Sequence, residues 1–118
     1  YDLSGVHGSY ALAEAFRYSH LVLASPTYNA GLFPPVEALI RELQAHNLQK
    51  RTVALVENGT WAPVAAKKMA EMFSTMKEMT ILSAGVCIRS ALREEQVSEV
   101  EALADALAAS VVQTAKEL

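Results

Sequence analysis

The residues with the clearest chemical potential lie in the segment 25–35, which reads Ser-Pro-Thr-Tyr-Asn-Ala-Gly-Leu-Phe-Pro-Pro. Tyr28 offers a flat apolar face with a polar tip. Asn29 and Gly31 tolerate positive φ and can therefore turn backbone amides toward a ligand. The segment has the residue types needed to hold a flat ring. A turn followed by a proline-started helix, with Tyr28 and Phe33 as packing anchors, explains the same residue types.

A second segment of interest, residues 57–63, reads Glu-Asn-Gly-Thr-Trp-Ala-Pro and contains the only tryptophan, Trp61. If the strands that precede the two segments are neighbours, Tyr28 and Trp61 border one crevice and can stack on one planar ligand. Alternatively, Trp61 closes the top of the core, and Asn58-Gly59 forms a tight turn.

The remaining residues give little indication of a metal site or of a catalytic nucleophile. The histidines stand at positions 7, 20 and 46, without the i, i+4 spacing of a helical metal site. Cys87 is the only cysteine, which excludes an intramolecular disulfide, and we expect it to be a small core residue. Ser25 and Ser83 lack the Gly-x-Ser-x-Gly surroundings of a hydrolase nucleophile. We therefore expect no catalytic residue and no metal ligand.

The elements that must position these segments begin with short apolar runs. Residues 21–24 and 52–56 are rich in valine and leucine and stop at turn-forming residues, which predicts strands buried on both faces. Residues 80–88 form a weaker third candidate, in which Gly85 indicates a bend or bulge.

Helical spacing connects these strands. The first helix is predicted over residues 9–18, with Ser9 as its cap and Phe16 on its apolar face. The second begins at the Pro34-Pro35 pair, because proline suits a first turn whose amide would be unpaired. Pro63 opens the third helix in the same way. Its predicted inner face consists of Val64, Met69, Met72, Phe73 and Met76.

The last helix begins near Glu94 and Glu95, whose charges favour a helix N-terminus. Its predicted inward face consists of Val97, Val100, Leu103, Ala104, Leu107, Ala108 and Val111. The alternation of helices and strands implies a parallel sheet covered by helices on both faces, an αβα sandwich. In such sheets ligands bind beyond the carboxyl ends of the strands, where both segments fall.

Composition and charge further limit the class of protein and the partners that we expect. The chain has 118 residues, of which 52% are hydrophobic and 19% charged. This length and composition indicate that residues 1–118 form one folded domain and are not disordered. The net charge is -3, with no basic stripe, so we expect no nucleic-acid partner. No apolar run reaches the roughly 18 residues of a membrane span, and the start does not read as a signal peptide. We expect a cytoplasmic protein with no membrane association.

Over nearly its whole length the chain resembles the flavodoxin-like FMN domain of flavodiiron proteins, also called A-type flavoproteins. The resemblance rests on the opening Tyr-Asp-Leu-Ser, on Phe-Arg-Tyr at residues 16–18, on Ser-Pro-Thr-Tyr-Asn at 25–29 and on Gly-Leu-Phe-Pro-Pro at 31–35. The long combined run from 25 to 35 is its most specific part. The resemblance implies a flavodoxin-like three-layer αβα sandwich with a parallel sheet, acting as an FMN-binding electron-transfer flavoprotein of oxidoreductase type.

The resemblance also implies a cofactor site. Thr27, Tyr28, Asn29 and Gly31 would line the isoalloxazine ring on one side, and residues 58–61 would line it on the other. The candidate cofactor-binding residues are Ser25, Pro26, Thr27, Tyr28, Asn29, Gly31, Asn58, Gly59, Thr60 and Trp61. The redox partner would be a separate protein or a fused diiron domain.

The sequence departs from the family at three points. The family's second loop typically reads Gly-Ser-Tyr-X-Trp, so the aromatic residue expected at Gly59 is absent. Nothing before Tyr1 supplies the family's first strand and its phosphate-binding loop. The diiron domain is also missing. We therefore expect an N-terminally truncated form or a fragment, in which FMN binding is weak or lost.

Two other functions stay open. One is an FMN-dependent reductase of a quinone or nicotinamide, and the other is a flavin-free αβα association module. In the resembled fold the first strand pairs with residues 21–24, so we expect an exposed sheet edge there and a homo-oligomer formed through it.

Overall fold

The computed structural model describes residues 1–28, 31–59, 63–89 and 91–117. The helices alternate with strands as the sequence predicts, except that the first and third predicted strands are each represented by two strands. The helices are α1 (Gly8–Arg17), α2 (Pro34–Ala45), α3 (Ala65–Phe73) and α4 (Val97–Lys116), the last preceded by a 3-10 turn at Glu94–Gln96. The strands are β1 (His20–Tyr28), β2 (Gly31–Leu32), β3 (Thr52–Asn58), β4 (Thr80–Ile81) and β5 (Val86–Ile88).

The sheet is mostly parallel. Its strand order is β2-β1-β3-β4, and β5 also pairs with β3. Strand β1 runs parallel to β3 from the pair His20 and Thr52 to the pair Pro26 and Asn58. Among the strands of the described residues, only β2 is antiparallel, and it pairs with the last two residues of β1. The predicted parallel sheet is confirmed, with a short hairpin added at its edge.

The third predicted strand is interrupted where Gly85 indicated a bend. Val53 pairs with Ile81 and Val56 pairs with Val86. Strand β3 thus advances three residues while its neighbours advance five, which leaves two extra residues between β4 and β5. A Cβ atom on Gly85 would lie 3.3 Å from the backbone oxygen of Leu55. The close approach of the two backbones favours glycine at this position.

Strand β1 differs from its prediction in length and in burial. It continues through Tyr28, so the first candidate segment is largely a strand and hairpin rather than a loop. Leu23 and Ser25 are buried, whereas Val22 is 55% exposed. The prediction of a strand buried on both faces is wrong here, because the second face is largely uncovered at β1.

The main core lies on the face covered by α1, α2 and α3. Its buried members share contact with this face of the sheet and include Ala15, Leu23, Val36, Ile40, Leu43, Val53, Leu55, Met69 and Phe73. The apolar periodicity of α2 and α3 correctly predicts this arrangement. Helix α3 begins at Ala65 rather than at Pro63, and Met76 lies beyond its end but still packs against the core.

In the described ranges, α4 is the one helix on the opposite face, and the core there is small. The buried residues there are Ala54, Val86 and Leu103. Much of the predicted inward face of α4 is in fact exposed, namely Val97, Val100, Ala104, Ala108 and Val111, and Leu107 is half-buried. The sequence periodicity identified an apolar stripe, but few described residues pack against it. No helix in the described ranges is long and apolar enough to cross a membrane.

The beginning of α1 also corrects a prediction. The cap is His7, whose Nδ1 accepts a hydrogen bond from the Ser9 backbone amide at 3.2 Å, rather than the Ser9 hydroxyl. Phe16, placed on the apolar face by the spacing, is exposed. At the other end of the helix, the Arg51 guanidinium donates to the carbonyl oxygens of Ala15 and Phe16. These bonds satisfy the last carbonyls of α1 and tie it to the start of β3.

Candidate functional site

The two candidate segments meet at one end of the sheet. Pro26 of β1 is in register with Asn58 of β3, and both strands run parallel with their carboxyl ends together. The condition set by the sequence, that the two preceding strands are neighbours, is therefore met. Asn29, Thr60 and Trp61 lie outside the described residues.

Tyr28 is the aromatic residue that the described structure presents at this end. It closes β1 and pairs with Gly31 of β2. The alternation of the strand places it on the same face as Pro26, and its side chain is 55% exposed. A hypothetical Cβ on Gly31 would make ordinary contact with the Tyr28 carbonyl oxygen at 3.5 Å. The hairpin therefore holds an accessible apolar ring beside the strand ends.

Ser25, another candidate, faces inward. It is 3% exposed. Its hydroxyl donates to the Pro26 carbonyl at 2.9 Å and accepts from the Phe33 amide at 3.2 Å. Phe33 is the residue that precedes helix α2. Ser25 therefore fastens the hairpin to the start of α2, and its hydroxyl is used within the protein.

Thr27 is also used within the protein. Its Oγ1 accepts hydrogen bonds from the Val64 amide at 3.0 Å and the Ala65 amide at 3.3 Å. Val64 itself provides no side-chain cap at this helix end. Thr27 therefore caps α3 from a distant strand, satisfying amides that would otherwise lack partners. Sequence spacing could not reveal this role because the partners are 37 and 38 residues away.

Gly59 has a steric reason for being glycine. A Cβ at this position would lie 3.0 Å from Pro63 Cβ and 3.2 Å from Thr27 Oγ1. Its amide donates to the Ile88 carbonyl at 3.0 Å, which holds the backbone in place. An aromatic side chain, the one the resemblance would put here, does not fit without a shift of this packing. Glycine at position 59, which departs from the pattern of the resembled family, therefore leaves room for the Thr27 side chain that caps α3.

Phosphate binding commonly uses free amides at a helix N-terminus. In the described residues, the amides at the start of α3 donate to Thr27, and the Ser9 amide of α1 donates to His7. Helix α2 begins with two prolines, which carry no N–H. Acidic side chains crowd the start of α4 at Glu94, Glu95 and Glu99. None of these four helix starts offers a favourable anion site.

Glu57 is a notable polar residue outside the candidate set. Its Oε1 is buried and has no hydrogen-bond partner in the described part of the chain. It borders a cavity of about 410 Å³ together with Lys67, Ser83 and Cys87. Cys87 is in register with Glu57 and is half-buried rather than a full core residue. The described residues contain no group of three His, Cys, Asp or Glu side chains that could hold a metal ion.

Comparisons with known proteins identify the fold. No protein-family model matches the chain, and no curated protein matches it. Among solved structures, the chain is similar to the rubredoxin oxygen:oxidoreductase of the anaerobe Desulfovibrio gigas, with a TM-score of 0.81 and 18% identity. That similarity covers 94% of this chain and 27% of the other.

Two flavodoxins are similar as well. A flavodoxin from the domain Archaea has a TM-score of 0.72 and 22% identity over 86% of this chain and 68% of its own. Flavodoxin 1 from Bacillus cereus has a TM-score of 0.70 and 14% identity over 89% of this chain and 72% of its own. The chain thus spans about a quarter of the oxidoreductase and about 70% of each flavodoxin. Together with the mostly parallel sheet, these similarities show that the chain has the flavodoxin-like fold.

Proposed function

We propose that this chain is a flavin-binding electron-transfer module whose cofactor is FMN. The observation that carries the proposal is the exposed Tyr28 ring beside the registered ends of β1 and β3. This position lies at the carboxyl edge of a parallel sheet, where folds of this type bind ligands. The similarity to two flavodoxins supports the choice of a flavin.

The described residues fit the ring of FMN better than its phosphate. Tyr28 and Pro26 would contact the isoalloxazine on one side, and residues 58–61 would complete the site. A bound flavin would accept and donate electrons, and the protein would hold the ring and shield it from water. The four helix N-termini described above offer the phosphate no favourable site. We therefore propose that ring contacts dominate the affinity.

Several site candidates act as positioning residues in this proposal. Ser25 fixes the hairpin to α2, and Thr27 fixes the same hairpin to α3. Gly59 allows the close approach of Thr27 and Pro63. Because three hydrogen bonds tie β1 to two helices, the backbone around Tyr28 is held before any ligand arrives. Such preorganisation lowers the entropic cost of binding.

Electron transfer requires a redox partner. We propose that the partner is a separate redox protein or a diiron domain fused to this one. The similarity to 27% of the Desulfovibrio gigas oxidoreductase supports a fused arrangement, because there a chain region of this fold is part of a much longer protein.

The test is a fluorescence titration with FMN and with riboflavin, which lacks the phosphate. We expect FMN and riboflavin to bind with similar affinity. Tyr28→Ala should weaken both about fivefold, because a lost stacking contact costs on the order of 1 kcal/mol beyond area burial. Tyr10→Ala is the matched control, since Tyr10 is an exposed tyrosine on α1. Unchanged affinity in Tyr28→Ala would show that the ring is bound elsewhere.

A flavin-free association module is the second candidate. The observation in its favour is that the helix starts in the described ranges offer no favourable phosphate site. An absorption spectrum after reconstitution with FMN distinguishes the two proposals. Flavin bands that stay with the protein through gel filtration support the electron-transfer module, and their loss supports the association module.

A further inference from the structure

The cavity beside Glu57 lies where the edge of the sheet is interrupted. Strand β3 pairs with β4 at Val53 and with β5 from Val56 onward. The extra residues between β4 and β5 border the cavity at Ser83 and Gly85, and helix α3 borders it on another side. Extra residues in an edge strand often lie next to binding sites, because they redirect side chains and end the regular pairing. The interruption thus coincides with an opening between the sheet and α3.

The wall that α3 contributes to this cavity consists of small side chains. Ala66 and Ala70 both line the cavity, and their spacing of four residues places them on one side of the helix. The strands add Leu55, Leu82 and Val86. The volume of about 410 Å³ is near the lower end of the roughly 300–1,000 Å³ that ligand pockets occupy. The cavity therefore has an apolar wall and the size for a small molecule.

The polar side of the cavity belongs to the sheet. Val53 and Leu55 are part of the core beneath α3, and the alternation of β3 places Glu57 on the same face. Cys87 is in register with Glu57. Glu57 is half-buried, and its Oε1 has no hydrogen-bond partner in the described part of the chain. A carboxylate that has lost water without gaining a partner is stabilised by a donor that binds it.

Lys67 brings the opposite charge to the same cavity. It lies in the first turn of α3 and is exposed, so its ammonium group is at the rim. Among the described residues that line the cavity, Glu57 and Lys67 carry the charges. The ion pairs of the described ranges include neither of them. A molecule that enters the cavity therefore meets one acceptor and one donor of unlike charge.

These two charges restrict the class of ligand. A simple cation would pair with Glu57 but would be repelled by Lys67, and a simple anion would meet the reverse. An uncharged apolar molecule would cover Glu57 without giving it a donor. A zwitterion with an apolar side chain satisfies all three features, because its ammonium, its carboxylate and its apolar group each have a matching part of the cavity.

We propose that this cavity binds a small aliphatic α-amino acid of about the size of leucine. Glu57 accepts hydrogen bonds from the ammonium group, Lys67 donates to the carboxylate, and Ala66 and Ala70 contact the side chain. Hydrogen bonds between charged groups at both ends give the site its specificity. The site is independent of flavin binding, because the alternation of β1 places Tyr28 on the opposite face of the sheet.

The test is an NMR titration of the isotope-labelled chain with L-leucine. We expect saturable shifts of the Ser83, Gly85 and Cys87 amides, which border the cavity. Two analogues each remove one charge: 3-methylbutylamine lacks the carboxylate, and 4-methylpentanoate lacks the ammonium group. Each should bind at least about tenfold more weakly than leucine. Glycine, which keeps both charges, should also bind more weakly because it lacks the apolar side chain.

Variants of the protein test the two charges from the other side. Glu57→Gln keeps the shape of the side chain and Lys67→Met keeps its apolar stem, and each should weaken leucine binding at least about tenfold. Lys68→Met is the matched control, since Lys68 is an exposed lysine of α3 that does not line the cavity. In Lys67→Met the preference for leucine over 3-methylbutylamine should disappear, because both then bind through the ammonium group alone.

Three results would overturn the proposal. The first is that leucine causes no saturable shift at the cavity. The second is that 3-methylbutylamine or 4-methylpentanoate binds the unaltered chain as tightly as leucine. The third is that Lys67→Met and Lys68→Met bind leucine equally well. If Glu57→Gln does not fold, the comparison of leucine with its two analogues on the unaltered chain decides.

Discussion

The two faces of this sheet are built very differently. On the face of α1, α2 and α3, large side chains such as Ile40, Met69 and Phe73 are fully buried. On the face of α4, the buried residues are Ala54, Val86 and Leu103, and the Val22 side chain of β1 is largely exposed there. The apolar residues of a helix contribute to stability only where another element packs against them. We infer that the first face supplies most of the stability of this chain.

The largest expected effect comes from equivalent truncations on the two faces. Ile40→Ala should cost about 4 kcal/mol, because it opens a cavity in a closed core, whereas Leu103→Ala should cost about 2 kcal/mol at a site near solvent. Urea denaturation of the two variants measures the difference in the free energy of unfolding. Equal costs would mean that the α4 face is as tightly packed as the other.

The next effect concerns the junction that Thr27 makes with α3. Thr27→Ala should lower the free energy of unfolding by about 1 kcal/mol, since the Val64 and Ala65 amides lose their acceptor. Thr27→Ser keeps the hydroxyl and should recover much of that loss. If both variants are as stable as the original chain in urea, the hydroxyl does not act as the cap.

A smaller effect is expected on the exposed stripe of α4. Val111→Lys should change the free energy of unfolding by less than about 0.5 kcal/mol, because Val111 is exposed. The contrasting variant is Val36→Lys, at a buried position of α2, which should be strongly destabilising. A large loss in Val111→Lys would indicate that an associated molecule covers the α4 stripe in solution.

The smallest effect concerns Asp2, an exposed residue. The Ser4 hydroxyl is the main cause of its lowered pKa, so Ser4→Ala should raise that pKa toward its ordinary value. Because the pKa is lowered in the folded chain, the stability linked to Asp2 is present above the unfolded-state pKa and is lost as the pH falls through the folded-state pKa. Carboxyl titration by NMR in both variants measures the shift, and identical titration curves would contradict it.

Much of the fold could be predicted from local patterns. The Pro34-Pro35 pair marks the start of α2, because proline fixes the φ of a first turn and needs no amide partner there. The residue types at 52–56 indicate a buried strand, and Gly85 indicates the interruption of the third strand. The parallel sheet placed both candidate segments at the carboxyl edge of the strands, but only the structure showed that their strands are neighbours, with Pro26 beside Asn58.

The sequence by itself therefore determined the main helices and strands and the αβα class, because each depends on residues close together in the chain. The pairing of β1 with β3, which brings the two segments together, was decided by the tertiary structure. Only the tertiary structure decided what individual side chains do. Thr27 is a helix cap because α3 begins beside it, and Gly59 is confined by Pro63 and Thr27. The apolar stripe on α4 and the Val22 side chain of β1 remain exposed because few described residues pack against them. Periodicity shows which side of an element is apolar, but burial depends on whether a distant part of the chain packs against that side.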